Sequence, residues 1–208
     1  MTPAEALLAQ LIAFYSGPGR GGDAAAESVL DRALAVLPSV TPHAIEPRRL
    51  PVADLLAEAL SLSPYPLASA IAAAAPTFRW RQNPNYNTDN MGAAFIAGYG
   101  YAEFVGRSEA LFLSDEIRVG LLVLGPGRHY PPHAHPAEEV YTALMAGSWR
   151  RGVEPWRVVP PGASIHHPPM IEHETKADRG TLLALYCWIG DTATEARPTP
   201  KALSSGGR

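Results

Sequence analysis

Six of the chain's seven histidines fall between His129 and His173, a density that random scatter in a histidine-poor sequence does not produce. The centre of this region reads GRHYPPHAHPAEEVYTALMAGSW. Gly127 precedes His133 by six positions, His135 follows two later, and Glu139 four after that. Side chains alternate faces along a β-strand, so the odd-numbered His133, His135, Glu139 and Tyr141 are predicted to share one side if the strand is regular. That side offers two imidazoles, a carboxylate and a phenol. Two imidazoles and a carboxylate suit one divalent metal ion (Zn, Fe, Ni, Mn or Co) and leave coordination positions open for water or substrate. Mixed N/O donors do not choose among these ions. Glu138 is the alternative carboxylate, but strand parity prefers Glu139 and turns Glu138 toward solvent.

A second block, VVPPGASIHHPPMIEHETKA, brings His166, His167 and His173 after a Pro-Gly turn. The spacing G-x5-H-x-H-x3-E resembles the first motif of the cupin superfamily, and Pro168 to His173 resembles the second. The resemblance implies an antiparallel β-barrel, a double-stranded β-helix or jelly roll, with His133, His135, Glu139 and His173 as ligands. Three departures stand out. Seven residues, rather than six, separate Glu139 from Gly147, which a β-bulge would accommodate. Met170 stands where glycine is common, and Ala177 where asparagine is common.

Five stretches, GYGYAEFVG, HAHPAEEVY, WRRGVEPW, PPGASIHHPP and LLALYCWIG, make residues 90 to 190 similar to bacterial cupin-type dimethylsulfoniopropionate lyases. Membership implies cleavage of a small zwitterion to dimethyl sulfide and acrylate by β-elimination. It assigns Tyr141 as the catalytic base and Tyr130 and Trp188 to the substrate pocket. The chemistry of the residues is consistent with that reaction. A proton next to a carboxylate is weakly acidic, so the charge left by its removal needs a Lewis acid. A phenol with a pKa of about 10 becomes a base at neutral pH only beside a cation. The sulfonium accepts no conventional hydrogen bond but is attracted to aromatic faces. Tyr186, Trp149 and Trp156 are further candidates for its walls. Two rivals use the same ligands: an Fe(II) cupin dioxygenase, and a cupin that binds a small molecule without turnover.

Other residues carry blander expectations. His43, His129 and His166 read as packed or surface residues, with His167 left open between that and a place beside the ligands. Cys187 reads as a small buried hydrophobe. Tyr186 and Trp188 share one face of their strand and Leu183, Leu185 and Cys187 the other, with the inward face undetermined.

The elements that position these residues form two textures. Thr2-Pro3 with Glu5 is a capping box with proline at the first helical position, opening a stripe of Leu7, Leu8, Leu11, Ile12 and Tyr15. Val29, Leu30, Ala33, Leu34 and Leu37 form a second stripe that stops at Pro38, and a third helix is predicted from Pro51 through Leu62. Pro38 to Pro51 reads as a loop. After Pro76 the chain turns to short runs bounded by glycine and proline. Helices followed by strands predict an α+β chain: a helical segment over 1–80, a cupin barrel over 81–195 and a flexible tail over 196–208. The helical stripes are predicted to cover the barrel or a second subunit, as in a homodimer.

Composition narrows the classes. A formal charge of −3 with no basic stripe excludes a nucleic-acid partner, and one cysteine excludes a disulfide framework. No apolar run reaches the roughly 20 residues that span a bilayer. The N-terminal stretch carries Glu5 and helical periodicity rather than a basic leader, which predicts a cytoplasmic protein with no membrane partner.

Overall fold

The structure is a computed structural model that describes residues 1–200 of the 208. Its helices are α1 (Pro3–Tyr15), α2 (Ala24–Val36), α3 (Leu56–Ser61), α4 (Pro66–Ala74), α5 (Thr88–Met91) and α6 (Ala93–Ala97). Its strands are β1 (Thr41–Pro42), β2 (Trp80–Arg81), β3 (Tyr99–Gly106), β4 (Phe112–Leu113), β5 (Ile117–Leu124), β6 (His129–Ala134) and β7 (Glu138–Ala143). They continue with β8 (Gly147–Arg151), β9 (Arg157–Val159), β10 (Ser164–His167), β11 (His173–Lys176), β12 (Leu182–Ile189) and β13 (Arg197–Pro198).

The strands form two facing sheets. The larger runs β1-β4-β3-β5-β12-β7-β10, with β2 on β3, and the smaller runs β13-β6-β11-β8-β9. All pairings are antiparallel except β3 with β4. Two antiparallel sheets closed over one interior are the cupin barrel expected from the motifs, carried by helices as an α+β chain.

The helices form because their ends and faces are well specified. Thr2 accepts from the Glu5 N–H while the Glu5 side chain accepts from the Thr2 N–H. Asp23 caps α2 through the Ala26 N–H. Leu7, Leu11, Val29, Leu30, Ala33 and Ile71 are then fully buried against Val119, Leu121, Leu183, Leu185 and Cys187 on the outer face of the large sheet. A fully buried leucine or isoleucine contributes roughly 1.5–3 kcal/mol relative to exposure, so this face anchors the helical segment. The opposite face of the same strands lines the barrel. Tyr186 and Trp188 therefore look inward, and Leu183, Leu185 and Cys187 look toward the helices.

Four details differ from the sequence reading. The expected third helix starts as a 3-10 turn over Pro51–Leu55 before α3 begins. The expected loop after Pro38 contains β1, which pairs with β4 and laces the helical segment into the large sheet. Helices α5 and α6 lie beyond residue 80; α5 is opened by a reciprocal cap between Asn87 and Asn90. The stretch from 196, expected to fray, is instead tied down: Arg197 and Pro198 pair with Ala134 and His133, and the Ala196 carbonyl accepts from both the Asn83 and Asn85 side-chain amides at 3.0 Å. The remainder of that expected tail, 201–208, lies outside the described residues.

Candidate metal centre

The donors of the first motif reach the interior from opposite sheets. His133 lies on β6 and His135 just past its end, whereas Glu139 and Tyr141 lie on β7. The single continuous strand predicted from parity is thus corrected. The chain bends at Pro136-Ala137 and crosses between sheets, so the residues converge by facing one another. Within β7 alternation holds, because pairing with β12 is regular from Glu138 to Ala143. The extra residue before Gly147 is absorbed beyond Tyr141, where the Leu144 and Met145 N–H groups both donate to the Leu183 carbonyl at 2.8 and 3.0 Å.

His135, Glu139 and His173 each bring a ligand atom within 4.8 Å of the other two, and all three are buried. Nε2 of His135 and Nε2 of His173 stand 3.3 and 3.2 Å from Glu139 Oε2. Their other ring nitrogens face backbone carbonyls: His135 Nδ1 is 3.0 Å from the Ala137 oxygen, and His173 Nδ1 3.0 Å from that of Ile171. A carbonyl only accepts, so each Nδ1 holds the proton and each neutral Nε2 offers a lone pair. Lone pairs facing a carboxylate oxygen repel it unless positive charge lies between them. His173 Nε2 is also a buried polar atom with no hydrogen bond. Two imidazole lone pairs and a carboxylate converging on one point fit a divalent metal ion.

His133 stands beside this trio rather than in it. Its Nδ1 is fixed by the Pro131 carbonyl at 2.8 Å, and its ring lies 4.1 Å from that of His173 and stacks on Tyr130 at 3.9 Å. Burial, then the neighbouring His173, holds its pKa well below the ordinary histidine value. Burial pushes the Glu139 carboxyl up, but the surrounding imidazoles, His135 first and then His167 and His173, outweigh it and hold its pKa well below the ordinary carboxylate value.

The doublet His166-His167 splits across its strand. His166 turns out to Glu138 at 2.9 Å, and Glu138 also holds Arg32 of α2 at 2.5 Å. His167 turns in, fully buried, with Nδ1 3.3 Å from Glu139 Oε2 and its ring stacked on His173 at 4.2 Å. Burial, then His173, lowers its pKa to about 3, so it is neutral. Parity in the doublet predicts one inward ring, and only the β10–β7 register, pairing His167 with Glu139, says which.

A cavity lies next to the donors, walled by Tyr99, Tyr101, Tyr130, Tyr141, Tyr186 and Trp188 and reaching Glu139, Arg118 and Glu195. Tyr130 hydrogen-bonds Tyr86 through their hydroxyls at 3.0 Å. Burial, then the charge of Glu139, raises the Tyr141 phenol well above its ordinary value. Trp188 is more than a wall: its Nε1 donates to Glu139 Oε1 at 2.6 Å, its ring stacks on His135 at 4.1 Å, and the Arg118 guanidinium lies over it at 5.0 Å. Trp149 is fully buried with its ring 6.0 Å from that of Tyr141. Trp156 packs with Arg150 and Lys176, away from the cavity. The sequence reading gave no role to Tyr99 and Tyr101, although they lie in the GYGYAEFVG stretch, and missed Arg118 and Glu195, which carry no motif.

Fold and donor set together define a cupin whose barrel can hold a divalent metal. The sequence model of the dimethylsulfoniopropionate lyase family matches residues 25–184, and the chain belongs to that family. It is 31% identical over 175 residues to dimethylsulfoniopropionate lyase DddQ of Ruegeria pomeroyi, an alignment covering 82% of this chain and 85% of the relative. The crystal structure of that DddQ superposes with a TM-score of 0.74 at 26% identity, covering 95% of this chain and 98% of the other. A chain from the crystal structures of the dimethylsulfoniopropionate lyases RdDddP and RnDddQII superposes with a TM-score of 0.78 at 24% identity, covering 95% and 97%. Among the described residues no helix is long and apolar enough to cross a membrane.

Proposed function

We propose that this protein cleaves dimethylsulfoniopropionate by β-elimination to dimethyl sulfide and acrylate, with Tyr141 as the base. The observation that carries this reading is the position of Tyr141: two residues after Glu139 on a regular strand, on the same inward face, and in the wall of the aromatic cavity. His135, Glu139 and His173 would hold one divalent ion, with His133 as a fourth donor beside them. When bound there, the ion supplies a Lewis-acid charge that favours ionised oxygen in the groups next to it.

The chain's own residues do the rest. Trp188 and His167 each place a nitrogen beside one oxygen of Glu139, which fixes the carboxylate plane. The buried tyrosines exclude water and offer π faces to the sulfonium. Tyr141 takes the proton from the carbon next to the substrate carboxylate, and the electron pair left behind forms the C=C bond as the C–S bond breaks. Dimethyl sulfide leaves neutral, and Tyr141 must return its proton to solvent.

Incubating metal-loaded protein with dimethylsulfoniopropionate and following headspace gas and NMR tests the reading. Dimethyl sulfide and acrylate in equal amounts are expected without oxygen. Oxygen-dependent turnover, or binding without products, would reject it in favour of a dioxygenase or a binding module.

A further inference from the structure

A second constellation lies at the far side of the cavity from Glu139. In the large sheet Trp188 pairs directly with Glu139 on one neighbour and with Arg118 on the other. Two strand spacings, about 10 Å, therefore separate the metal-ligating carboxylate from Arg118. The Arg118 side chain is 6% exposed and bonds Glu103 Oε1 at 2.6 Å; Arg81 bonds that same oxygen at 2.8 Å. Arg118 also meets Glu195 Oε1 at 3.1 Å, and Arg81 meets it at 3.9 Å. Two guanidiniums and two carboxylates thus balance in this cluster, and Glu195 is the carboxylate on its cavity side.

Position gives Glu195 its meaning. Three charged side chains line the cavity: Glu139, Arg118 and Glu195. Glu139 is taken by the metal donors and Arg118 by Glu103. Arg81, which balances Glu195, lines a separate outer cleft and not the cavity. Arg118 and Glu195 line both, so their ion pair forms the wall between cleft and cavity. Both ion-pair contacts of Glu195 fall on Oε1, its side chain is 20% exposed, and Tyr101, Tyr186 and Trp188 line the same cavity, with Arg118 over Tyr101 and Trp188 at 5.6 and 5.0 Å. A carboxylate set among π faces is a recognition site for a cation that offers no hydrogen.

We propose that Glu195 is the specificity-determining residue for the cationic end of the substrate. The inference rests on the lyase reading, which puts the substrate carboxylate at the Glu139 end. In a molecule whose carboxylate carbon and sulfonium are three bonds apart, the positive end then points along the cavity toward Glu195. A neutral isostere of the same shape fits the same walls and forgoes only this charge interaction.

The test is isothermal titration of the full metal-loaded protein with two ligands matched in shape, 3-(trimethylammonio)propanoate and 4,4-dimethylpentanoate. The unaltered protein should prefer the cationic ligand by about tenfold, the scale of one partly solvated charge pair. Glu195→Gln, near-isosteric, should bring the two affinities within about threefold by weakening the cationic ligand alone, with metal content unchanged. Glu195→Asp, which keeps the charge, should retain most of the preference. Equal affinities in the unaltered protein, no binding of the cationic ligand, an undiminished preference in Glu195→Gln, or equal weakening of both ligands each overturns the assignment. Dimethyl sulfide release without charge preference defeats this inference alone. Charge preference without dimethyl sulfide release defeats the lyase reading alone.

Discussion

The indole N–H of Trp188 donates to Oε1 of Glu139 at 2.6 Å, across directly paired positions of β12 and β7. Trp188 is therefore a support of the metal donors as well as a wall of the cavity. Trp188→Phe keeps a ring and removes the donor. It is expected to weaken metal affinity about 10- to 100-fold, the usual cost of losing a group that orients a ligand. Competition against a chelator of known affinity checks this; unchanged affinity would confine Trp188 to the cavity wall.

The donors themselves should separate into a trio and a neighbour. His135→Ala, Glu139→Ala and His173→Ala should each lose most bound metal, since each removes one of the converging ligand atoms. His133→Ala should keep a substantial fraction, because its ring flanks His173 instead of joining that group. Elemental analysis distinguishes the cases, and loss of metal in His133→Ala equal to the others would make it a full ligand.

Tyr141→Phe deletes one oxygen and leaves every donor in place. Turnover should fall by roughly 10²- to 10⁴-fold, the range for removal of a general base, with metal content retained. Near-normal turnover would transfer the role to Tyr130 or to metal-bound hydroxide.

The pH profile should have two limbs of opposite sign. Activity is expected to rise above neutrality, since a phenol must lose its proton before it accepts one. Stability moves the other way: burial first, with nearby groups, raises the phenols of Tyr86, Tyr99, Tyr101, Tyr130 and Tyr186. A raised folded-state pKa stabilises fully below the unfolded value of about 10, and that contribution is lost as pH climbs past it. Melting temperature should therefore fall steeply as pH rises from about 10 to about 11, cutting off the activity rise. A flat melting temperature over that interval would mean the barrel opens to solvent.

Met170 is the one described non-glycine residue with positive φ, at 62°, and its N–H donates to the His135 carbonyl at 2.8 Å. That conformation explains why glycine is common at this motif position. The left-handed cost of about 1–2 kcal/mol exceeds the entropy cost of glycine, roughly 0.5–1 kcal/mol. With its side chain 64% exposed, Met170→Gly loses little packing and should raise the melting temperature by a few degrees. A lower melting temperature would show that the thioether contributes contacts.

What could be read in advance followed local rules. The cap at Thr2 obeys short-range hydrogen bonding, and the shared face of Tyr186 and Trp188 on β12 obeys strand alternation, although alternation alone does not say which face looks inward. His135 and Glu139 were legible from donor type and spacing, in one set with His133, whereas His173 came from the resemblance to the second cupin motif. The split of the first motif between two sheets was not legible, because a Pro-Ala bend and a continuing strand share the same parity. Nor was Arg118, whose partners Glu103 and Glu195 stand 15 and 77 positions away, the first brought in by β3–β5 register and the second by the loop before β13. His167 fell between: the sequence alone leaves it open between a packed residue and a place beside the ligands, and the β10–β7 register puts it beside Glu139.

The order of β12 in the chain bears on synthesis. It lies between β5 and β7, yet it is translated after both, so these two strands emerge from the ribosome with bare hydrogen-bonding edges until residues 182–189 appear. His173 and the Ala196–Pro198 wall are also late. A nascent chain can dock its helical segment on nothing complete, and its exposed edges invite pairing with other chains. Holding chaperones and release from the ribosome should thus precede metal loading, and expression at reduced temperature, where translation and aggregation both slow, should favour recovery of the metallated protein.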